Sequence, residues 1–193
     1  HRKGDPLMTR LVPNRYATML ALSLAATAPL AFAFSSGSGS CTDVLPPHAI
    51  AGPGSGGLAL LAPASYQAGQ TLTVTLTTNN VVSFKGLLLW VEDAAGQRAG
   101  ALQAPPGYAL ATALGCPGSQ SATLMHSNPN NKPVPVSISW TAPAVDAGPV
   151  TVRALVATSI AQAFFATPVT IGGDRLFGDG FENAPVAQAT PSR

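Results

Sequence analysis

The chain has 193 residues, of which 46% are hydrophobic and only 9% charged, and a formal net charge of +2. That hydrophobic content excludes a disordered polyampholyte, since disorder pairs low hydrophobicity with high net charge. It fits a single domain plus processing segments, with 19 Gly and 18 Pro to punctuate short strands.

Arg10 and Arg15 precede an uncharged run from Tyr16 to Ser40 whose apolar centre is Met19–Ala26, and Ala31-Phe32-Ala33 offers a small-x-small cleavage site. Basic, apolar, small is the order of a secretory signal peptide, so residues 1–33 are expected to be removed. The apolar centre is short for a membrane span. Met8-Thr9-Arg10 reads as the natural start, with residues 1–7 as an upstream over-extension. After cleavage, six cationic side chains face seven acidic ones, a net charge of −1. No basic patch remains for nucleic acid or an anionic membrane, and no later segment is long enough to span a bilayer. The location expected is secreted, periplasmic or envelope-bound.

Residues 34–57 form a Ser/Gly-rich segment containing Cys41. Gly52-Pro53-Gly54-Ser55-Gly56-Gly57 satisfies GxGxxG literally, but no strand precedes it, Pro sits inside it and no acidic residue follows before Glu92. It is a turn, not a dinucleotide loop. From Tyr66 to Asp93 the chain reads as a hairpin. Leu72, Val74 and Leu76 alternate with Thr71, Thr73, Thr75 and Thr77, Thr77–Asn80 turns, and a second apolar run follows to Val91. Trp90 shares parity with Phe84 and Leu88 and is assigned to the core.

Further turns fall at Ala94–Gly100, Pro105–Gly107 and Cys116–Gly118. Ser121–Ser127 is a short strand, and Asn128–Pro133 a polar loop. Val134, Val136, Ile138 and Trp140 alternate with small polar residues, as do Val150, Val152, Ala154 and Val156 with Thr151, Arg153 and Leu155. Phe164–Ile171 closes the series. No amphipathic helix follows the signal. The fold class is therefore all-β, an antiparallel β-sandwich over residues 58–171, with a separate tail at 172–193.

Two cysteines in an exported chain are expected to be bridged rather than free, and their spacing is neither CxxC nor a zinc set. His48 and His126, with Met125, form a candidate metal pair, but no carboxylate or thiolate stands with them at ligand spacing. Glu92 and Asp93 are adjacent on a strand and point to opposite faces, so they cannot act as a catalytic pair. Asp174, Asp179 and Glu182 lack EF-hand spacing. No GxSxG elbow marks a hydrolase, and no CxxCH marks a haem site. Ligand contact is assigned to loops, with Tyr108, Asn128, Asn130, Asn131 and Lys132 as candidates.

In order, Cys41-x4-Pro46-x-His48, Tyr66-x2-Gly69, Phe84-Lys85-Gly86-Leu87-Leu88-Leu89, Gly96, Cys116, Met125-His126-Ser127 and Ser139-Trp140-Thr141-Ala142-Pro143 resemble a Reeler domain, the N-terminal module of reelin and spondin-type proteins. The resemblance spans Cys41 to Ile171. It implies an immunoglobulin-like sandwich, a Cys41–Cys116 disulfide and an extracellular module, with His48 and His126 packing beside the two cysteines. The role expected is non-enzymatic and without a cofactor, in contact with a surface ligand, glycan or protein. The alternative is a periplasmic redox or metal accessory using His48 and His126. The tail, Leu176-Phe177-Gly178-Asp179-Gly180-Phe181-Glu182, resembles an ending of secreted gammaproteobacterial proteins and is read as a sorting or processing tail.

Overall fold

Alternation and turn chemistry set the strands of this chain, and two different burial patterns decide which sheet each joins. In the computed structural model, residues 37–41, 45 and 49–173 are described. The strands are β1 (Ile50–Ala51), β2 (Leu58–Leu61), β3 (Ser65–Tyr66), β4 (Thr71–Thr78), β5 (Ser83–Phe84), β6 (Gly86–Asp93), β7 (Ala101–Leu102) and β8 (Tyr108–Leu110). There follow β9 (Thr123–His126), β10 (Lys132–Pro133), β11 (Val136–Thr141), β12 (Val150–Ala157), β13 (Gln162–Phe165) and β14 (Val169–Gly173). Among the described residues the only helical turn is a 3₁₀ turn at Thr112–Leu114.

The smaller sheet runs β2-β4-β11-β7, and the larger β1-β13-β12-β6-β9-β8, with β14 on β12. The pairings are antiparallel except for β1 on β13 and β14 on β3. The two sheets form a β-sandwich.

β4 shows the pattern of a strand buried on one face. Leu72, Val74 and Leu76 enter the core, while Thr71 and Thr75 reach across to Thr141 and Ser137 on the outer face, at 2.9 and 3.3 Å between hydroxyl oxygens. β6 is buried on both faces. Leu87, Leu89 and Val91 join the main core with Val150, Val152, Ala154, Val156, Ile138 and Trp140. Leu88 and Trp90 point the other way and pack with Leu155 and Ala163 under Leu45 and Ala49. A strand covered on both sides reads as an unbroken apolar run, which is what Gly86–Val91 is.

Four expectations are corrected here. The stretch Tyr66–Asp93 is not a hairpin, because β4 pairs with β2 and β11 while β6 pairs with β12 and β9. The turn after β4 carries the chain from one sheet to the other, so the one-sided strand and the two-sided strand lie in different layers. Trp90 is buried, but on the outer face with Leu88, and Phe84 lies in the main core. Parity fails because pairing breaks at Lys85, between β5 and β6. Leu155, assigned to the polar side of its strand, belongs to the same outer cluster. The last strand is two, β13 and β14, interrupted at Ala166–Pro168, where Thr167 leaves β12 and exchanges backbone hydrogen bonds with Leu58 and Leu60 of the opposite sheet.

Candidate functional site

The outer face of the larger sheet carries a feature that alternation could not show. The described residues Gly37–Cys41, Leu45 and Ala49–Ala51 lie over that face as a strap. It is fixed by Cys41 at one end and by parallel pairing of Ile50 with Gln162 at the other. Cys41 and Cys116 form a disulfide with Cα atoms 5.4 Å apart, closing 75 residues of sequence.

Beneath the strap lies a charged cluster. Arg98 is only 6% exposed. Its Nε donates to Thr123 Oγ1 at 3.1 Å, one terminal nitrogen donates to Glu92 Oε2 at 3.0 Å, and the other donates to the Cys41 carbonyl. Its guanidinium lies 5.3 Å from the Trp90 ring centroid, a cation–π contact. Trp90 Nε1 donates to the same Glu92 oxygen at 2.9 Å, and Arg153 Nε donates to Glu92 Oε1 at 2.5 Å. Glu92 is thus the hub of a structural network. Asp93, on the other face, accepts from the backbone N–H groups of Ala95 and Gln97 and shapes the turn after β6. This accords with the sequence argument that the two carboxylates cannot work as a pair.

The candidate loop residues gather at the sandwich end where β6 begins. Ser127 N–H donates to Gly107 O at 3.0 Å, so the 105–107 turn and the Asn128–Lys132 loop are neighbours. Lys132 is not a surface contact: it is 5% exposed, and its ammonium donates to the carbonyls of Asn128, Asn130 and Lys85 at 2.8, 2.8 and 3.1 Å. Burial, with Lys85 nearby, pushes its pKa below the ordinary lysine value. Asn130 and Asn131 are exposed, Asn128 is half-buried, and Asn131 Oδ1 accepts from Lys85 Nζ at 3.1 Å.

Tyr108 is likewise no loop residue. It lies on β8 with its ring against the main core, and its hydroxyl is buried. Burial pushes its pKa up to about 12. Tyr66, desolvated and bonded to Asp146, is shifted upward too. A phenol whose folded pKa exceeds its unfolded value stabilises the fold fully below the unfolded value and loses that contribution as pH rises through the folded one. The urea midpoint is therefore expected to fall between about pH 10 and pH 12. The fall should be shallower in Tyr108→Phe; an identical profile in that variant would exclude Tyr108 as a cause.

His126 is buried, with Nδ1 3.3 Å from both the backbone nitrogen and the carbonyl oxygen of Leu87. Gly86 gives its ring room, since a Cβ there would stand 3.3 Å from His126 Cε1. Met125 turns to the opposite face, against the strap cluster. Among the described residues no three of His, Cys, Asp and Glu are grouped to hold a metal, and His48 lies outside those residues. Residues 1–36 and 174–193, with the signal and tail readings, lie outside them as well. No helix among the described residues is long and apolar enough to cross a membrane.

The scattered motif residues converge in pairs. Trp140 Nε1 donates to Ala99 O at 3.0 Å, and its ring meets Tyr66 edge-on at 5.3 Å between centroids. Gly69 N–H donates to Pro143 O at 2.9 Å. Gly100, which the motif reading missed, holds φ +74°, and a Cβ there would come within 2.5 Å of Trp140 Nε1. Its signal was present only as one more Gly in a turn. The family model of the Reeler domain matches residues 39–171. The chain belongs to the Reeler domain family.

Solved structures agree on the fold of this Reeler domain. A crystal structure of the human F-spondin reeler domain is 19% identical, with 69% of this chain and 99% of that chain covered and a TM-score of 0.55. A structure of the Reelin-N domain of F-spondin is 18% identical, covering 65% and 92%, with a TM-score of 0.53. Comparison with the curated protein sequences returns no match. The Reeler domain is an extracellular-type module, and the disulfide fits an oxidising compartment.

Proposed function

We propose that this Reeler domain is an exported, non-enzymatic binding module that contacts a surface glycan through the sandwich end carrying Asn128–Lys132. The observation that carries the reading is the buried Lys132 ammonium. By holding the carbonyls of Asn128, Asn130 and Lys85, it fixes the loop before any ligand arrives. A loop ordered in advance spends less entropy on binding. Asn130 and Asn131 then offer exposed carboxamides, each with donors and an acceptor, which suits sugar hydroxyls. The signal-like N-terminus and the disulfide support export.

The test is a glycan array probed with the oxidised protein and two variants. Asn130→Ala/Asn131→Ala is expected to abolish capture with the fold unchanged. Lys132→Met should weaken capture and cost about 2 kcal/mol, because it removes charge-assisted hydrogen bonds from a buried site. Capture of no glycan by the wild type, or equal capture by the double-alanine variant, defeats the reading.

A further inference from the structure

The two ends of the sandwich differ in charge. The processed chain has an expected net charge of −1, but its charges are unevenly placed. Lys85 and Lys132 are 47 residues apart in sequence, yet the Lys132 ammonium reaches the Lys85 carbonyl at the end where β6 begins. Neither has an acidic partner among the described residues. Lys85 Nζ donates to the Asn131 carboxamide, and Lys132 Nζ to the carbonyls of Asn128, Asn130 and Lys85. Lys85 is exposed, and the buried Lys132 adds its field to the same end. Asp93 and Asp146 stand at the opposite end, where β6 stops and the Tyr66 hydroxyl meets Asp146. Glu92 is engaged by Arg98 and Arg153. A sum over the sequence left no basic patch because it could not show this segregation.

Three aliphatic side chains stand in solvent at the same cationic end. Val82 is 86% exposed, and its carbonyl accepts from the Val134 N–H, just after β10. Ile160, 77% exposed, lies in the turn from β12 to β13, and Lys85 N–H donates to the Ala157 carbonyl at the start of that turn at 2.8 Å. Ile50, 76% exposed, donates its N–H to the Ala161 carbonyl at 3.0 Å. A single exposed aliphatic residue needs no explanation. Three of them on turns and an edge strand, around an exposed lysine with no acidic partner, combine the two terms of peripheral membrane attachment. Apolar area enters the acyl boundary, and positive charge meets the headgroups.

We infer that this end docks on an anionic phospholipid bilayer. Val82, Ile160 and Ile50 enter the headgroup boundary, and Lys85 lies against the lipid phosphates. Charge complementarity selects an anionic surface, and the apolar tips select a bilayer over a free phosphate. The contact is independent of the glycan reading, since a bilayer without sugars satisfies it.

Vesicles of phosphatidylcholine, with and without phosphatidylglycerol, separate the requirements, and neither contains sugar. The oxidised protein is expected to co-sediment only when phosphatidylglycerol is present, and less as salt rises. Val82→Ser/Ile160→Ser should lower the affinity about ten-fold, a part of the burial free energy of two aliphatic side chains. Lys85→Gln should lower it about five-fold, the worth of one cation at such a surface. A spin label on the lipid headgroup should broaden the methyl NMR signals of Ile50, Val82 and Ile160. It should leave those of Val145, exposed beside Asp146 at the acidic end, sharp. The inference is overturned if the Val82→Ser/Ile160→Ser variant sediments like wild type, if phosphatidylcholine alone binds equally well, if Val145 broadens as much as the three tips, or if no vesicle binds. Displacement by inorganic phosphate, at an ionic strength where chloride has no effect, would overturn it in favour of a phosphate site. The substituted side chains are exposed, so wild-type thermal midpoints are expected in the variants. If the Val82→Ser/Ile160→Ser variant does unfold, Lys85→Gln and the spin-label pattern on the wild type decide the question in its place.

Discussion

Replacing Cys41 and Cys116 with serine is expected to lower the unfolding free energy by about 4 kcal/mol, the chain-entropy value for closing a loop of this length. Their separation is 75 residues, and the bridge ties the strap to the sandwich. A domain of ordinary stability, roughly 5–15 kcal/mol, would keep little margin after such a loss. The loss should also be local before it is global. Leu45 and Ala49 pack over Leu88 and Trp90 and hold them out of water. Acrylamide should therefore reach Trp90 in the serine variant under conditions where Trp140, deep in the main core, stays protected. Denaturant midpoints and tryptophan quenching, compared between oxidised wild type and the double-serine variant, check both parts. Coincident midpoints would show that the strap is held without the bridge. Mass mapping of the native protein should return a single Cys41–Cys116 peptide.

The second large effect belongs to Arg98. Arg98→Met is expected to cost about 3–5 kcal/mol, the range for removing one partner of a buried ion pair. The loss exceeds one salt bridge because the guanidinium serves four groups at once: Glu92, Thr123, the Cys41 carbonyl and the Trp90 ring. Its removal leaves Glu92, itself mostly buried, with Arg153 and the Trp90 N–H alone. Arg98→Lys should recover little, since one ammonium cannot reproduce a planar fork aimed in three directions. A double-mutant cycle with Glu92→Gln gives a sharper test. The combined variant should be less destabilised than the two single losses added together, because the carboxylate stranded by Arg98→Met is no longer charged. Strict additivity would mean that Arg98 acts independently of Glu92, through its contacts with Thr123, the Cys41 carbonyl and the Trp90 ring.

Arg98 also shows why part of the site was illegible. In sequence it is a lone cation in the turn Ala94–Gly100, six residues after Glu92. Its partners come from β6, β9 and the strap, up to 57 residues away. Lys132 misleads in the same way. A lysine in an Asn-rich loop reads as a solvent-facing contact, and only the folding back of Asn128 and Asn130 turns it into a buried clamp. Tyr108 follows a Pro-Pro-Gly turn and reads as loop, yet its pairing with His126 places it on a strand with the ring inward. The exposed asparagines were legible because polar, Pro-flanked runs stay at the surface whatever the topology.

The strands themselves were written locally. Period-two alternation in Thr71–Thr77, Val136–Trp140 and Val150–Val156 fixes which residues enter the main core, because neighbouring side chains on a strand must point to opposite faces. The turn residues between them, the all-β class and the family likeness followed from the same local chemistry. Local chemistry could not decide what lies on the far side of a strand. Gly86–Val91 is apolar throughout, so its pattern carries no facing information, and only the strap tied down by Cys41 and Cys116 makes Leu88 and Trp90 a second core instead of an exposed surface. The pairing of β4 with β2 and β11 rather than with β6 was likewise settled by which layers could bury their apolar faces together. That choice depends on the whole chain and is not contained in the turn that joins the two strands.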